Sequence, residues 1–223
     1  MEPLNEQLVE QIDQYIEALF NPPDPALEQN LKDADAAGLP QINVSPNQGK
    51  LLYLLAKIAG ARRILEVGTL GGYSTTWLAR ALPPDGVLIT LELEPKHADV
   101  ARRNLERTGL GSIVDIRVGP ANDSLRTLAA EGAKPFDVIF INADKVGYVE
   151  YLDLSLQLSR PGTIILADNV IRNGQVMAEN PEDAADRGAR AYNLAIAAHP
   201  RLESLILPIV RHRVDGLAIS IVR

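Results

Sequence analysis

The stretch ILEVGTLGGYSTTWLA, residues 64–79, contains the glycine-rich turn on which the fold assignment depends. An apolar run over 63–67 is followed at once by Gly68, Gly71 and Gly72, and then by a segment of helical character. Glycines at this position let a ligand approach the backbone, and the next helix points its N-terminal N–H groups at an anion. The pattern GTLGG does not fit GxGxxG, so it does not favour a nicotinamide dinucleotide.

The rest of the chain alternates short apolar runs with helical segments. Near-continuous apolar runs are typical of parallel strands that helices cover on both faces. The pattern predicts an α/β fold, Rossmann-like and doubly wound, whose seven-stranded sheet is mostly parallel with one antiparallel strand near the C-terminus. The predicted strands are 63–67, 87–91, 114–118, 136–141, 163–167, 205–210 and 217–222, and the helices among them are 73–82, 95–108, 122–131, 148–158 and 183–198. Asp215-Gly216 is predicted to form the turn between the last two strands.

The segment before this α/β pattern is predicted to be helical. Residues 4–20 carry apolar side chains at helical spacing, a second helix follows from about Asp24, and Ser45 caps a third. No repeat or linker divides the chain. We therefore expect one domain over 1–223, with 1–44 as a helical extension that contributes to the substrate site or to a dimer interface.

Composition and charge narrow the classes of function. Hydrophobic residues make up 46% and charged residues 23% of the chain, which is typical of a soluble globular protein. The formal net charge of −7 gives no electrostatic footprint for nucleic acid. Cysteine is absent, no apolar run has membrane-spanning length, and the N-terminus has no basic signal region. We expect a cytoplasmic protein with no membrane partner.

Polar residues follow several predicted strands at the edge where open α/β sheets bind ligands. Glu92 ends the second strand, where a carboxylate can accept hydrogen bonds from both ribose hydroxyls, which indicates an adenosine without a pyrophosphate. Asn142 follows the fourth strand, and Asp168 and Asn169 follow the fifth. These oxygen ligands suit a hard cation such as Mg²⁺.

Together with further motifs, these residues resemble the caffeoyl-CoA and catechol O-methyltransferase family, whose members are class I enzymes that use S-adenosylmethionine. The resemblance covers residues 39–223 and rests on the order and spacing of the motifs. The motifs are VSPNQGKLL (44–52), ILEVGTLGGYSTTWLA (64–79), LELEPKHADVARRNL (91–105), VGPANDSL (118–125), FDVIFINADK (136–145), RPGTIILADNV (160–170) and DGLAIS (215–220).

The resemblance implies a binding site for S-adenosylmethionine. One group of residues would lie along the methionine portion and its carboxylate, and a second group would hold the ribose, the adenine and the sulfonium side. The first group is Val44, Glu66, Gly68, Thr69 and Ser74, and the second, in that order, is Glu92, Ala121 and Asn142.

The resemblance also implies a divalent cation, Mg²⁺ or another, and a catalytic base. The cation would be held by Asn142, Asp168 and Asn169, and Lys145 would be the base. The family carries aspartate where this chain has Asn142, so the ligand set loses one formal negative charge and weaker cation affinity is expected. The cation would lower the pKa of a bound hydroxyl, and the amine of Lys145 would accept its proton.

The expected activity is methyl transfer from S-adenosylmethionine to a hydroxyl of a small aromatic diol, catechol or caffeoyl-like, by a homodimer. Two alternatives stay open. One is methylation of hydroxyuridine in transfer RNA, which the net charge opposes, and the other is a cofactor-binding protein that has lost catalysis, which Asn142 motivates. His97 and Trp77 are interpreted as structural, Tyr148 as the start of a helix, and Arg172 as a solvated side chain.

Overall fold

A computed structural model describes residues 5–211 and 213–223, without the side chain of Glu6. Its centre is a seven-stranded sheet in the order β3-β2-β1-β4-β5-β7-β6. The strands are β1 (Arg63–Val67), β2 (Val87–Glu92), β3 (Val114–Val118), β4 (Phe136–Ile141), β5 (Ser159–Ala167), β6 (Leu202–Val210) and β7 (Val214–Val222). Among these strands β7 alone is reversed, because it pairs antiparallel with both of its neighbours. The predicted sheet is confirmed.

Helices pack on both faces of this sheet because alternate strand residues point to opposite sides. Leu65 and Ile139 belong to a core that includes residues of the sixth to eighth helices, whereas Ile64 and Val138 belong to a core with the second to fourth helices. The helices are α1 (Glu6–Phe20), α2 (Pro25–Ala36), α3 (Pro46–Ile58), α4 (Tyr73–Ala81), α5 (Pro95–Arg107), α6 (Ala121–Ala130), α7 (Tyr148–Gln157) and α8 (Ala184–Ala198), with short 3-10 turns at Gly111–Ile113, Lys145–Gly147 and Arg172–Met177. Of the helices described, none is long and apolar enough to cross a membrane.

The predicted turn at Asp215-Gly216 is wrong. β6 ends at Val210 and β7 begins at Val214, so residues 211–213 connect the two strands and the Asp-Gly pair lies inside the ladder. The pair serves a tertiary contact instead. Asp215 Oδ1 accepts hydrogen bonds from two backbone N–H groups in the loop after β5, each at 3.1 Å. A Cβ on Gly216 would lie 2.5 Å from Ile171 in the same loop, so glycine allows the close approach.

The N-terminal helix turns its apolar side outward. Within α1, the half-buried positions are Val9, Asp13 and Glu17, one helical turn apart. The apolar side chains of the adjacent stripe are exposed, and they are Leu8, Ile12, Tyr15, Ile16, Leu19 and Phe20. The predicted amphipathic helix is therefore present, although its predicted start at residue 4 lies outside the described residues.

Polar contacts attach α1 to the rest of the protein. Asp13 accepts a hydrogen bond from Asn47 Nδ2 at 2.6 Å and another from Arg211 Nε at 2.8 Å. Asn47 lies in the first turn of α3, and Arg211 lies in the connection between β6 and β7. The helix is thus positioned by hydrogen bonds, while its apolar stripe contacts little of its own chain.

Candidate active site

The glycine-rich turn after β1 is pressed against the loop after β4. Gly68 has φ +99°, and a Cβ there would lie 2.2 Å from the carbonyl oxygen of Asn142. The positive φ disfavours any residue with a side chain, and the close carbonyl leaves no room for one. Gly72, also at positive φ, is the N-cap of α4. The two loops therefore meet at the carboxyl edge of the sheet, where ligands of open α/β sheets bind.

Glu66 lies fully buried beneath this turn. Its Oε1 accepts a hydrogen bond from Ser74 Oγ at 2.6 Å, and its Oε2 accepts from Thr75 Oγ1 at 2.5 Å and Thr90 Oγ1 at 2.7 Å. Burial raises the pKa of this carboxyl to about 7, and the three hydroxyl donors oppose that rise. Glu66 therefore ties β1 and β2 to the first turn of α4, and it reaches the expected methionine region through Ser74.

Glu92 holds the same turn from the end of β2. Its Oε2 accepts hydrogen bonds from the backbone N–H groups of Thr69 at 3.2 Å and Leu70 at 2.7 Å. Its Oε1 accepts from Glu94 N at 3.0 Å and lies 3.3 Å from His97 Nδ1. The interpretation of His97 as merely structural missed this contact. His97 is the third residue of α5, which begins at Pro95 shortly after Glu92, so the sequence already places the two side chains near each other.

A cavity of about 760 Å³ extends along this edge, and we call it the main cavity. It brings together six of the expected site residues, namely Gly68, Glu92, Ala121, Asn142, Lys145 and Asn169. Three others, Val44, Thr69 and Ser74, line a small cavity of about 50 Å³ that also borders Gly68 and Asn142. Glu66 and Asp168 lie behind these walls, with 0% and 3% of their surface exposed.

Lys145 lies in the 3-10 turn that follows the β4 loop, with 8% of its surface exposed. Its Nζ donates to Tyr148 Oη at 2.6 Å and to the carbonyl of Ala143 at 3.0 Å, and it lies 3.4 Å from Asn142 Oδ1. Burial lowers the pKa of this amine to about 8, against the opposing charges of Asp168 and Asp215. The neutral amine, which can accept a proton, is therefore accessible near neutral pH.

Tyr148 does more than begin α7, the role expected from the sequence. Its side chain is fully buried, and its Oη lies 2.9 Å from the carbonyl of Asp168 and 3.2 Å from that of Ile141. The hydroxyl can donate to one carbonyl while it accepts from Lys145. The phenol thus fixes the amine against the ends of β4 and β5.

The three expected metal ligands follow two adjacent strands, since Ile141 at the end of β4 pairs with Ala167 at the end of β5. Asp168 accepts a hydrogen bond from Gln48 Nε2 at 3.3 Å, and burial raises its pKa to about 6 although the Lys145 charge opposes this. Within the described part of the chain, no group of three or more His, Cys, Asp or Glu residues could hold a metal ion. One carboxylate and two amide oxygens fit a hard cation by donor type, at low ligand charge.

Asp144 does not supply the carboxylate that is lost because position 142 is asparagine instead of the family's aspartate. Its side chain caps the 3-10 turn by accepting from Gly147 N at 2.9 Å, and it also accepts from the Tyr151 hydroxyl. Both contacts hold the carboxylate on the α7 side of the loop.

Arg172 and Arg213 lie on the wall of the main cavity beside Asn169. Arg172 is not the solvated side chain expected from the sequence, because it pairs with Asp186 and lies 3.6 Å from Asp183. Sequence reasoning did not single out Arg213. It lies after β6, and only the fold brings it to the ends of β4 and β5.

Comparison with known proteins identifies the class to which this site belongs. The O-methyltransferase family matches residues 22–221, and the chain belongs to that family. It is 52% identical to a catechol O-methyltransferase of Niastella koreensis, over 99% of this chain and all of that protein. It is 46% identical to a catechol O-methyltransferase of Mycobacterium tuberculosis, over 95% of each. The O-methyltransferase of Bacillus cereus, solved with SAH, superposes with a TM-score of 0.95 at 46% identity, over 97% of this chain and 99% of that one.

The protein is therefore an S-adenosylmethionine-dependent O-methyltransferase. The glycine pattern and Glu92 indicated an adenosine without a pyrophosphate, and the SAH of the superposed structure agrees with that.

Proposed function

We propose that this enzyme transfers the methyl group of S-adenosylmethionine to one hydroxyl of a small aromatic diol of the catechol type. The observation that carries the proposal is the buried, hydrogen-bonded amine of Lys145 on the wall of the cavity that also contains Glu92 and Ala121. The relatives named catechol O-methyltransferase support a catechol over the transfer-RNA alternative.

The cofactor is proposed to lie along the carboxyl edge from α4 to α6. Glu92 accepts hydrogen bonds from the ribose hydroxyls, and Ala121 packs beside the adenine. Gly68, Thr69 and the Ser74 hydroxyl border the methionine portion, with Val44 closing that end. Asn142 lies beside the sulfonium, at the junction of the main and small cavities. A cofactor bound in this way would have its sulfonium beside Asn142, whose Oδ1 lies 3.4 Å from Lys145 Nζ.

The acceptor hydroxyl is proposed to lie between the sulfonium and Lys145. A methyl sulfonium is already activated, so the protein has to place an oxygen in line with it and remove the proton of that oxygen. Lys145 accepts the proton on Nζ. Tyr148 holds this nitrogen in place, and only 8% of the Lys145 surface is exposed. Lys145→Ala is expected to keep cofactor affinity and lose most turnover.

Asn142, Asp168 and Asn169 are proposed to hold a divalent cation when one binds. Such a cation would lower the pKa of a bound hydroxyl and orient the diol. With a single carboxylate in the set, its affinity is expected to be below that of a site with two.

Methyl transfer from labelled S-adenosylmethionine to a panel of catechols, with Mg²⁺ and with EDTA, tests the proposal. Turnover that EDTA abolishes supports the metal-assisted reaction. Turnover that is unchanged by EDTA supports methyl transfer to catechols and contradicts a requirement for the cation. Failure to methylate any catechol, with cofactor binding confirmed by calorimetry, would contradict the proposed acceptor.

We further propose a single methyltransferase domain that works as a homodimer, with the α1 stripe in the dimer interface. Six apolar side chains of that stripe are exposed side by side, and contiguous exposed apolar patches mark interaction sites. A cytoplasmic location is proposed because the sequence has no cysteine, as suits a reducing compartment.

A further inference from the structure

The connection between β6 and β7 brings an arginine to the acceptor end of the main cavity. Arg213 lines the main cavity together with Lys145 and Asn169, and it also lines a neighbouring cavity of about 110 Å³. Ile42 borders both cavities as well, so the acceptor space continues past these two residues. Arg213 therefore lies where the acceptor end of the cavity opens outward.

The guanidinium of Arg213 is held weakly. Its Nε lies 3.5 Å from Asp215 Oδ2, and 48% of the side chain is exposed. The other oxygen of Asp215 already accepts from the backbone N–H groups of Ile171, Arg172 and Gly216. Backbone N–H groups therefore already donate to the Asp215 carboxylate, which weakens its attraction for Arg213. Most of the five N–H donors of Arg213 point to no described acceptor.

Two neighbouring arginines are bound more closely to a carboxylate than Arg213 is. Arg211, two residues earlier, donates from Nε to Asp13 at 2.8 Å. Arg172, on the same cavity wall, is paired with Asp186. Among the described arginines that line these two cavities, Arg213 is the one whose guanidinium makes no hydrogen bond to a described residue.

The charge of Arg213 also reaches the reacting end of the cavity. Burial is the main cause of the lowered pKa of Lys145, and the charges of Arg172 and Arg213 lower it further. Lys145 and Arg213 line the same cavity, so a small aromatic molecule bound there would extend from one toward the other. With its hydroxyls toward Lys145, an aromatic diol would present the opposite edge of its ring to Arg213.

We propose that Arg213 binds an anionic substituent of the acceptor, and that the preferred substrates are catechols with a carboxylate opposite the two hydroxyls. This inference rests on the proposed function. A guanidinium matches a carboxylate with two parallel N–H···O hydrogen bonds, which gives direction as well as attraction. The carboxylate would fix which hydroxyl faces the sulfonium. The phosphates of a coenzyme A thioester share the anionic chemistry, so the test separates the two sources.

The experiment compares kcat/KM for three acceptors that carry the same catechol ring: caffeate, its neutral methyl ester and caffeoyl-CoA, at saturating S-adenosylmethionine. Wild type is compared with Arg213→Gln and Arg213→Lys. Arg211→Gln is the matched control, because it removes the same charge from the same connection while its guanidinium is already engaged by Asp13.

We expect Arg213→Gln to lower kcat/KM for caffeate about tenfold, the worth of one charge-assisted hydrogen-bonded contact. The value for the methyl ester is expected to stay within about twofold, as for substitutions away from a contact. Arg213→Lys should recover part of the loss, and Arg211→Gln should change neither acceptor.

Equal losses for caffeate and its ester would overturn the proposal while leaving the methyltransferase intact. An Arg213-dependent preference for caffeoyl-CoA over caffeate would overturn the carboxylate assignment in favour of phosphate. If no catechol is methylated while the cofactor binds, the proposed function fails and this inference fails with it.

Discussion

At the scale of single residues, the position of the proposed base depends on one phenol. Tyr148 provides the shortest contact of Lys145 Nζ, at 2.6 Å, and itself contacts main-chain carbonyls after β4 and β5. Tyr148→Phe removes only the hydroxyl, so the amine loses its anchor while the ring still fills its place. We expect kcat to fall about tenfold, with KM and cofactor affinity unchanged.

A double-mutant cycle with Lys145→Ala distinguishes positioning from structure. If Tyr148 acts through the amine, Tyr148→Phe adds no further loss of kcat in the Lys145→Ala background. Tyr192→Phe is the control, because that tyrosine is equally buried, packs edge-on against Tyr148 and has a hydroxyl without a described partner. Additive losses in the cycle, or an equal loss in Tyr192→Phe, would contradict a positioning role.

Glu66 makes the stability of the protein depend on pH. Its pKa is about 7 in the folded protein and near 4.5 in the unfolded chain, so the folded state keeps a proton that the unfolded state loses. This contribution to stability is fully present below pH 4.5 and is lost as the pH rises through 7. Between pH 5.5 and 8.0 the loss is about 2 kcal/mol.

Urea unfolding at these two pH values measures the effect. Glu66→Gln cannot ionise, and its amide can still accept from Thr90 and donate to Ser74. We therefore expect the variant to lose about 2 kcal/mol less stability than wild type over this interval. If the free energy of unfolding changes equally with pH in the two proteins, Glu66 does not titrate between pH 5.5 and 8.0.

Asn142 gives a direct test of the proposed cation site. Asn142→Asp adds a second carboxylate beside Asp168, so we expect tighter Mg²⁺ binding by calorimetry and higher turnover at low Mg²⁺. Gln175→Glu, which adds the same charge at an exposed position, is the control. Unchanged Mg²⁺ affinity in Asn142→Asp would exclude position 142 as a ligand.

At the scale of elements, the strands could be predicted because most are short apolar runs that end in polar or glycine residues. The predicted bounds of β1, β3 and β4 coincide with the structure. The turn predicted at Asp215-Gly216 was wrong because the preference of an Asp-Gly pair for turns is a local property. In the fold, these residues contact the loop after β5. The same limit applies to the site. Glu92 and Asp168 follow strands and could be predicted, but the contacts of Tyr148 and Arg213 arise from tertiary packing.

Helix α8 supports the turn that contains Lys145. A Cβ on Gly188 would lie 2.1 Å from the carbonyl oxygen of Lys145, so the helix can pack there only through glycine. Gly188→Ala would improve helix propensity and yet force the two elements apart. We expect the free energy of unfolding to fall by about 1–3 kcal/mol and kcat to fall more than KM changes.

Circular dichroism melts and steady-state kinetics check this expectation. Leu194→Ala is the control on the same helix, since this side chain is 56% exposed. A Gly188→Ala enzyme with wild-type stability and turnover would show that α8 does not determine the position of Lys145.

At the scale of the whole molecule, the outward-facing stripe of α1 predicts association. Replacing Ile12 and Tyr15 together by glutamate places two charges on the stripe, and we expect sedimentation velocity to show conversion of a dimer to a monomer. Gln11→Glu, on an exposed polar position of the same helix, should leave the dimer intact. A wild-type protein that sediments as a monomer would contradict the proposed interface.

The residues that line the main cavity come from the strand–helix units and from segments that lie before and after those units in the sequence. Gly68, Glu92 and Ala121, proposed to hold the cofactor, belong to the first three strand–helix units, whereas Ile42 and Arg213 come from segments before β1 and after β6. Substitutions or insertions in those outer segments can therefore alter which alcohol is accepted without touching the donor. For evolution, this arrangement lets new acceptors be explored at little risk to the shared chemistry.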